Sequence, residues 1–169
     1  PYLNHTVMST SREEIFEQTG SRYAPASPCD SLHLIEQAPS ECVLIGKPCD
    51  IAAAAKARRI RPALDKKMGL TIAVFCAGTP STKGTLLMLE KMGFTDPIQV
   101  ASVRYRGNGW PGLATATGEI SGTPKKAELS YRDSWGAILQ KHRQWRCYIC
   151  PDHTGEFADI AVGDPWYHD

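Results

Sequence analysis

Two short apolar runs, Cys42-Val43-Leu44-Ile45 and Leu70 to Phe75, each give way to a turn and then to a helical stretch. No other feature constrains the fold as strongly. Each run is bounded by turn residues and reads as a buried strand. The first leads through Gly46-Lys47-Pro48 into a helix running through Ile51 to Arg59, with Pro48 suited to its first turn. The second leads through residues 76–84 into a helix over Thr85 to Met92, closed by Gly93. Strand, loop and helix, twice over, is the rhythm of a parallel α/β core.

The flanks are less regular. Ser11-Arg12-Glu13-Glu14 has the form of a capping box and predicts a short helix from Arg12 to Thr19, ended by Gly20. Asp30-Ser31 then caps a short helix carrying Leu32, Leu34 and Ile35, which Pro39 terminates. Val100 to Tyr105 alternates as a strand, and Leu113 to Ile120 pairs back on it across a glycine-rich turn. Ser130 opens a helix through Leu139, and Phe157 to Val162 makes a last short strand. The expected fold is α/β, with α+β character in the second half: a mixed, mostly parallel sheet flanked by helices.

At 169 residues the chain is long enough for one domain with a real core, spanning 1–169. It has no initiator Met and stops at Trp166-Tyr167-His168-Asp169, so a fragment of a longer polypeptide is expected. No stretch reaches the roughly 18 apolar residues of a membrane span, and nothing at the N-terminus reads as a secretory signal. Six cysteines are too few for a disulfide scaffold. The expected compartment is therefore the cytoplasm, where cysteines serve metals or catalysis. A net charge of +1 excludes a general case for nucleic-acid binding. The basic stretch from Lys56 to Lys67 reads as a solvated helix face.

Four of the cysteines fall where loops are expected: Cys49, Cys76, and the pair in Cys147-Tyr148-Ile149-Cys150-Pro151. Neighbouring parallel strands deliver their C-terminal loops to one edge of a sheet, so Cys49 and Cys76 can meet there. The CxxC adds two thiols from one tight turn. Such a soft tetrahedral set suits an iron–sulfur cluster or zinc, and spacing alone does not choose between them. The bland alternative is that Cys49 and Cys76 are small buried hydrophobes. Cys29 and Cys42 read as structural.

Two further segments carry polar chemistry. Thr79-Pro80-Ser81-Thr82-Lys83-Gly84-Thr85 puts hydroxyls, a lysine and a glycine at a helix N-terminus, where amide groups attract phosphate. Its order is not that of a Walker A loop, and helix capping alone accounts for Ser81 and Thr82 equally well. Arg104-Tyr105-Arg106-Gly107-Asn108-Gly109-Trp110-Pro111-Gly112 sets two guanidiniums and two aromatics beside a flexible turn. Such a turn could grip a diphosphate or flank a flat ring, although as a bare pattern it is more often a turn with exposed charges. His142 and His153, flanking the CxxC, read as solvated side chains.

Taken in order, several blocks resemble the beta subunits of coenzyme F420-reducing hydrogenases and dehydrogenases, a family that includes the 7-hydroxymethyl chlorophyll a reductases. The blocks are Gly20-Ser21-Arg22-Tyr23, Gly46-Lys47-Pro48-Cys49-Asp50, Phe75-Cys76-Ala77-Gly78, Arg104-Tyr105-Arg106-Gly107, Cys147-Tyr148-Ile149-Cys150 with Asp152, and Ala158-Asp159-Ile160 through Gly163-Asp164-Pro165-Trp166. The resemblance implies an oxidoreductase module with FAD beside a 4Fe-4S cluster, passing electrons to or from a hydride acceptor such as coenzyme F420. It implies Cys49, Cys76, Cys147 and Cys150 as cluster ligands, and Lys47, Ser81, Thr82 and Arg106 as candidate FAD or substrate contacts. Partners would be other redox subunits or a ferredoxin, with no nucleic acid and no membrane span. Asp50 departs from the Gln often found after the first cysteine, and brings a negative charge to that position. The alternative is a non-catalytic, zinc-stabilised α/β interaction module.

Overall fold

The computed structural model describes residues 3–164. The chain folds as two compact units, each drawn from two stretches: residues 27–77 with 149–164, and residues 3–26 with 78–148.

The first unit is the parallel core. Strand β1 (Cys42–Gly46) leads into α3 (Pro48–Arg58), then α4 (Pro62–Lys67) and β2 (Met68–Val74), with α2 (Leu32–Gln37) packed alongside. Pro48 opens α3 as expected, because a first-turn proline gives up no intrahelical hydrogen bond. The basic stretch is two helices instead of one face. Pro62 would remove an interior bond, so the chain breaks at Arg61 and restarts. The sheet has three strands in the order β1-β2-β6, all parallel, with β6 spanning Ile160–Val162.

β6 is shorter than the strand expected from Phe157, because a side chain takes over its entry. The Asp159 carboxylate accepts the Thr71 N–H and the Thr71 hydroxyl, both at 2.7 Å, and the Asp159 N–H donates back to Thr71 Oγ1 at 3.1 Å. One face of the sheet and the helices bury Leu32, Ile35, Leu44, Ile51, Ala54, Leu64, Met68 and Ala73. The opposite face is aliphatic yet exposed: register pairs Val43 with Leu70, Ile45 with Ile72 and Val74 with Val162. Of these, Val43, Ile45, Val74 and Val162 are all exposed. The two runs are thus buried on one side only, against the expectation of strands covered on both.

The second unit holds α1 (Arg12–Glu17), α5 (Thr82–Lys91) and an antiparallel sheet of β3 (Val100–Arg104), β4 (Ala114–Ile120) and β5 (Thr123–Leu129). The capping box at α1 forms: Ser11 Oγ accepts the Glu14 N–H at 3.2 Å, and Glu14 accepts the Ser11 N–H at 3.2 Å. The helix stops at Glu17, two residues short of the expected end. α5 begins three residues earlier than expected, so Gly84 lies inside it, and Gly93 closes it with φ +82°.

β5 was not expected from the sequence. Ser121 and Gly122, with φ of 51° and 78°, form the two-residue turn that joins it to β4. The helix expected from Ser130 to Leu139 is instead an irregular stretch, first wider and then tighter than an α-helix. Residues 132–136 wind as a π-turn, with the Ala137 N–H bonded to the Arg132 carbonyl, and a 3₁₀ turn follows over Leu139–His142. A single further turn, α6 (Trp145–Tyr148), carries Cys147. Met88, Leu89, Phe94, Val100, Tyr105, Ala114, Ala116 and Leu139 form this unit's core. Inside it the Tyr105 hydroxyl meets Thr85 Oγ1 at 2.8 Å.

Candidate functional site

In the parallel unit the topology carries Cys49 and Cys76 to one edge. Cys49 stands in the first turn of α3, just past β1, and Cys76 lies two residues past the end of β2, the adjacent strand. Cys49 is therefore helical, not a loop residue, and sits where the helix dipole favours a negatively charged ligand. The Phe75 N–H donates to Val162 at 2.8 Å, extending the ladder to the last residue before the thiol.

The loop after the CxxC is tied to the same place. The Cys76 N–H donates to the His153 carbonyl at 3.0 Å, and His153 Nδ1 lies 2.6 Å from the Cys76 carbonyl. A carbonyl only accepts, so Nδ1 carries the proton. Asp152 builds the turn beneath: its carboxylate accepts the N–H groups of Thr154, Gly155 and Glu156 at 3.0, 2.6 and 3.2 Å. The bonds from Gly155, then Thr154 and Glu156, hold the Asp152 carboxyl below its ordinary range. Cys150 Sγ donates to the Asp152 carbonyl at 3.1 Å.

Cys147 belongs to the other unit. There residues Thr79 to Ser81 run beside residues 142–144, with an isolated bridge between Pro80 and Arg143: the Ser81 N–H donates to His142 at 2.8 Å and the Gln144 N–H to Thr79 at 2.9 Å. The Thr79 N–H in turn points at Cys147 Sγ, 3.4 Å away. Gly78 is required by this packing, since with φ +119° a Cβ there would lie 2.6 Å from Arg143 Cδ and 3.3 Å from Cys147 Cβ. All six cysteines are free of disulfides. Among the described residues no three His, Cys, Asp or Glu side chains stand gathered as a ready metal site. None of Cys49, Cys76, Cys147 and Cys150 is in a disulfide, and Cys147 Sγ accepts a backbone N–H.

Cys29 and Cys42 lie elsewhere. Cys29 sits in a 3₁₀ turn with its Sγ 3.9 Å from the Asp50 carbonyl, and burial, then Asp50 and Asp30, push its thiol up. Cys42 opens β1, half-buried, its Sγ 3.8 Å from the Ser40 carbonyl.

The polar candidates are not brought together as one group. Lys47 is engaged locally: the buried Asp50 accepts its N–H at 3.1 Å and its ammonium at 2.5 Å, so the acid is neutralised by its own neighbour. Ser81 is the residue before α5 and Thr82 its first, both half-buried, and no side-chain cap bond occupies Ser81. Arg106 is 7% exposed, far from an exposed charge on a turn. Its Nε donates to the Pro111 carbonyl at 2.9 Å and Nη1 to the Tyr23 hydroxyl at 3.2 Å, with Trp110 and Tyr131 rings over its guanidinium. The sequence assigns His153 to solvent and Thr79 to the hydroxyl-rich loop; their partners, Cys76 and Cys147, are remote in the chain.

In open α/β sheets ligands bind at the carboxyl ends of the strands, and Cys49 and Cys76 lie past those ends of β1 and β2. The family described as the C terminus of the coenzyme F420 hydrogenase/dehydrogenase beta chain matches residues 40–168, and the chain belongs to it. It is 26% identical over 164 residues to the F subunit of F(420)H(2) dehydrogenase from Methanosarcina mazei, covering 93% of this chain and 41% of that one. Its fold is similar to that of a chain in the F420-reducing NiFe hydrogenase complex from Methanosarcina barkeri. That likeness has a TM-score of 0.64 at 20% identity, over 97% of this chain and 54% of the other. The chain thus spans about half the length, or less, of these relatives. No helix among the described residues is long and apolar enough to cross a membrane.

Proposed function

We propose that this chain is the cofactor-bearing part of a flavin- and iron–sulfur-dependent oxidoreductase, exchanging electrons between a 4Fe-4S cluster and a hydride acceptor or donor such as coenzyme F420. The observation that carries this reading is the placement of Cys49 and Cys76 past adjacent parallel strands, with the Cys150 loop clamped to Cys76, in a family of redox-enzyme subunits. Cys49, Cys76, Cys147 and Cys150 would be the ligands, the CxxC supplying two of them from one turn by its spacing alone. When bound, the flavin would convert a two-electron hydride into single electrons for the cluster.

The chain's own part is positioning. Cys150 would exchange its bond to the Asp152 carbonyl for iron, while the Asp152 turn keeps the backbone in place. The Thr79 N–H donates toward Cys147 sulfur, the kind of bond that tunes a cluster's potential. Lys47, Ser81 and Thr82 retain part-exposed polar tips for FAD or substrate, and Arg106 acts by holding the glycine-rich turn. Other redox subunits or a ferredoxin would be the electron partners.

The test is anaerobic reconstitution with iron, sulfide and FAD, followed by metal analysis and a visible spectrum. About four irons per chain with a broad ~400 nm shoulder is the expected result. One zinc and no colour would replace the redox reading with a scaffold.

A further inference from the structure

Arg106 is absorbed into the turn that carries it, but Arg104 of the same block faces a small cavity of about 50 Å³. Gly20, Ser21 and Arg22 line its other side with Tyr105, so two blocks some eighty residues apart in sequence meet at one place. Both lie in the antiparallel unit. The lining residues carry two guanidiniums and no carboxylate; of their three hydroxyls, Thr19 bonds the Phe16 carbonyl and Tyr105 bonds Thr85, which leaves Ser21.

Arg104 is seated, not loose. A Cβ on Gly20 would lie 3.0 Å from its Nη1, and one on Gly107 would lie 2.9 Å away; both glycines have positive φ, at 98° and 132°. The same Nη1 donates to the Thr19 carbonyl at a long 3.3 Å. Four of its five N–H donors have no bond among the described residues. Arg22 spends one donor on Gln18 at 3.3 Å. Arg22 lines the same cavity; burial raises the Tyr105 phenol, and the Thr85 bond and then the positive charge of Arg22 work against that rise. Two like charges held at one cavity repel, and an anion between them removes that cost.

We propose that this cavity binds one phosphate group of a phosphorylated organic ligand, with Arg22 and Arg104 as its charged clamp and Ser21 as a hydroxyl donor. The cavity's volume of about 50 Å³ is several times the roughly 10–15 Å³ that one water needs by the same measure, room for a tetrahedral oxyanion. Planar guanidiniums match such an oxyanion through paired N–H bonds. The proposal rests on the flavin reading only for which molecule carries the phosphate.

The experiment is calorimetric titration of the whole chain with inorganic pyrophosphate, and separately with FAD and riboflavin, in Arg104→Gln, Arg22→Gln and the surface control Arg12→Gln. Pyrophosphate affinity should fall about tenfold or more in each pocket variant, and hardly at all in Arg12→Gln, with binding weakened by salt. Arg22 is exposed, so its variant keeps the fold even if Arg104→Gln does not. If FAD also binds more tightly than riboflavin, and loses that advantage in the pocket variants, the phosphate is the flavin's. Arg-dependent pyrophosphate binding without FAD binding would uphold the pocket for another phosphorylated ligand and sink the flavin reading. Pyrophosphate that fails to bind, or binds all variants equally, would overturn the pocket even if FAD is retained.

Discussion

Cys76 and His153 hold each other twice: the amide of Cys76 donates to the His153 carbonyl, and the His153 ring donates to the Cys76 carbonyl. A residue 77 positions away thereby fixes both backbone faces of the first residue beyond Phe75. His153→Phe keeps the amide bond and deletes the ring donor. It should cost about 1 kcal/mol in denaturant unfolding and speed amide exchange at Cys76. Unchanged exchange would mean that the ring is not a clamp.

The ligand assignment separates six cysteines into two groups. Cys49→Ser and Cys147→Ser should lose iron after reconstitution, while Cys29→Ser and Cys42→Ser should keep it. Cys29 in particular is held as a thiol by burial and nearby carboxylates. Equal iron in all four variants would dismantle the assignment.

Acid should loosen the parallel unit through Asp159. The Thr71 hydroxyl first, then the Thr71 N–H, hold its carboxyl below the ordinary range against a smaller opposing effect of burial. A depressed folded pKa stabilises the fold above the ordinary aspartate value of about 3.9. That stabilisation is lost as pH falls through the folded value. Asp159→Asn should therefore be less stable than the parent at pH 7 and converge with it once pH falls below the folded value, measured by urea unfolding. Thr71→Val removes a buried hydroxyl that both donates and accepts, and should cost about 1–2 kcal/mol at neutral pH.

Arg106→Lys tests whether this arginine is scaffold. Lysine cannot reach the Pro111 carbonyl and the Tyr23 hydroxyl with one fork, nor stack flat against Trp110. We expect a loss of about 2 kcal/mol in thermal unfolding. Full stability with weakened FAD binding would instead make Arg106 a ligand contact.

Local signals read well where the partner is local. Pro48 at the start of α3, the Ser11–Glu14 capping box and the Gly93 stop are all set by neighbours within a turn. β5 escaped because Thr123-Pro124-Lys125-Lys126 is polar and takes its pairing from the β4 backbone. The Ser121-Gly122 turn was the available hint. The stretch from Ser130 was legible as helical, but not its widening into a π-turn, which depends on how Trp135 and Leu139 meet the core.

The sequence by itself determined the parallel α/β core and the order of its cysteines, because hydrophobic period, proline and glycine act over a few residues. The ordered blocks carried family membership for the same reason: each is a short local pattern. Only tertiary structure decided that Arg106 is buried, that Thr71 holds Asp159 and that His153 clamps Cys76. Burial and hydrogen bonds between residues far apart in the chain depend on which surfaces fold against one another, and no local window contains that information.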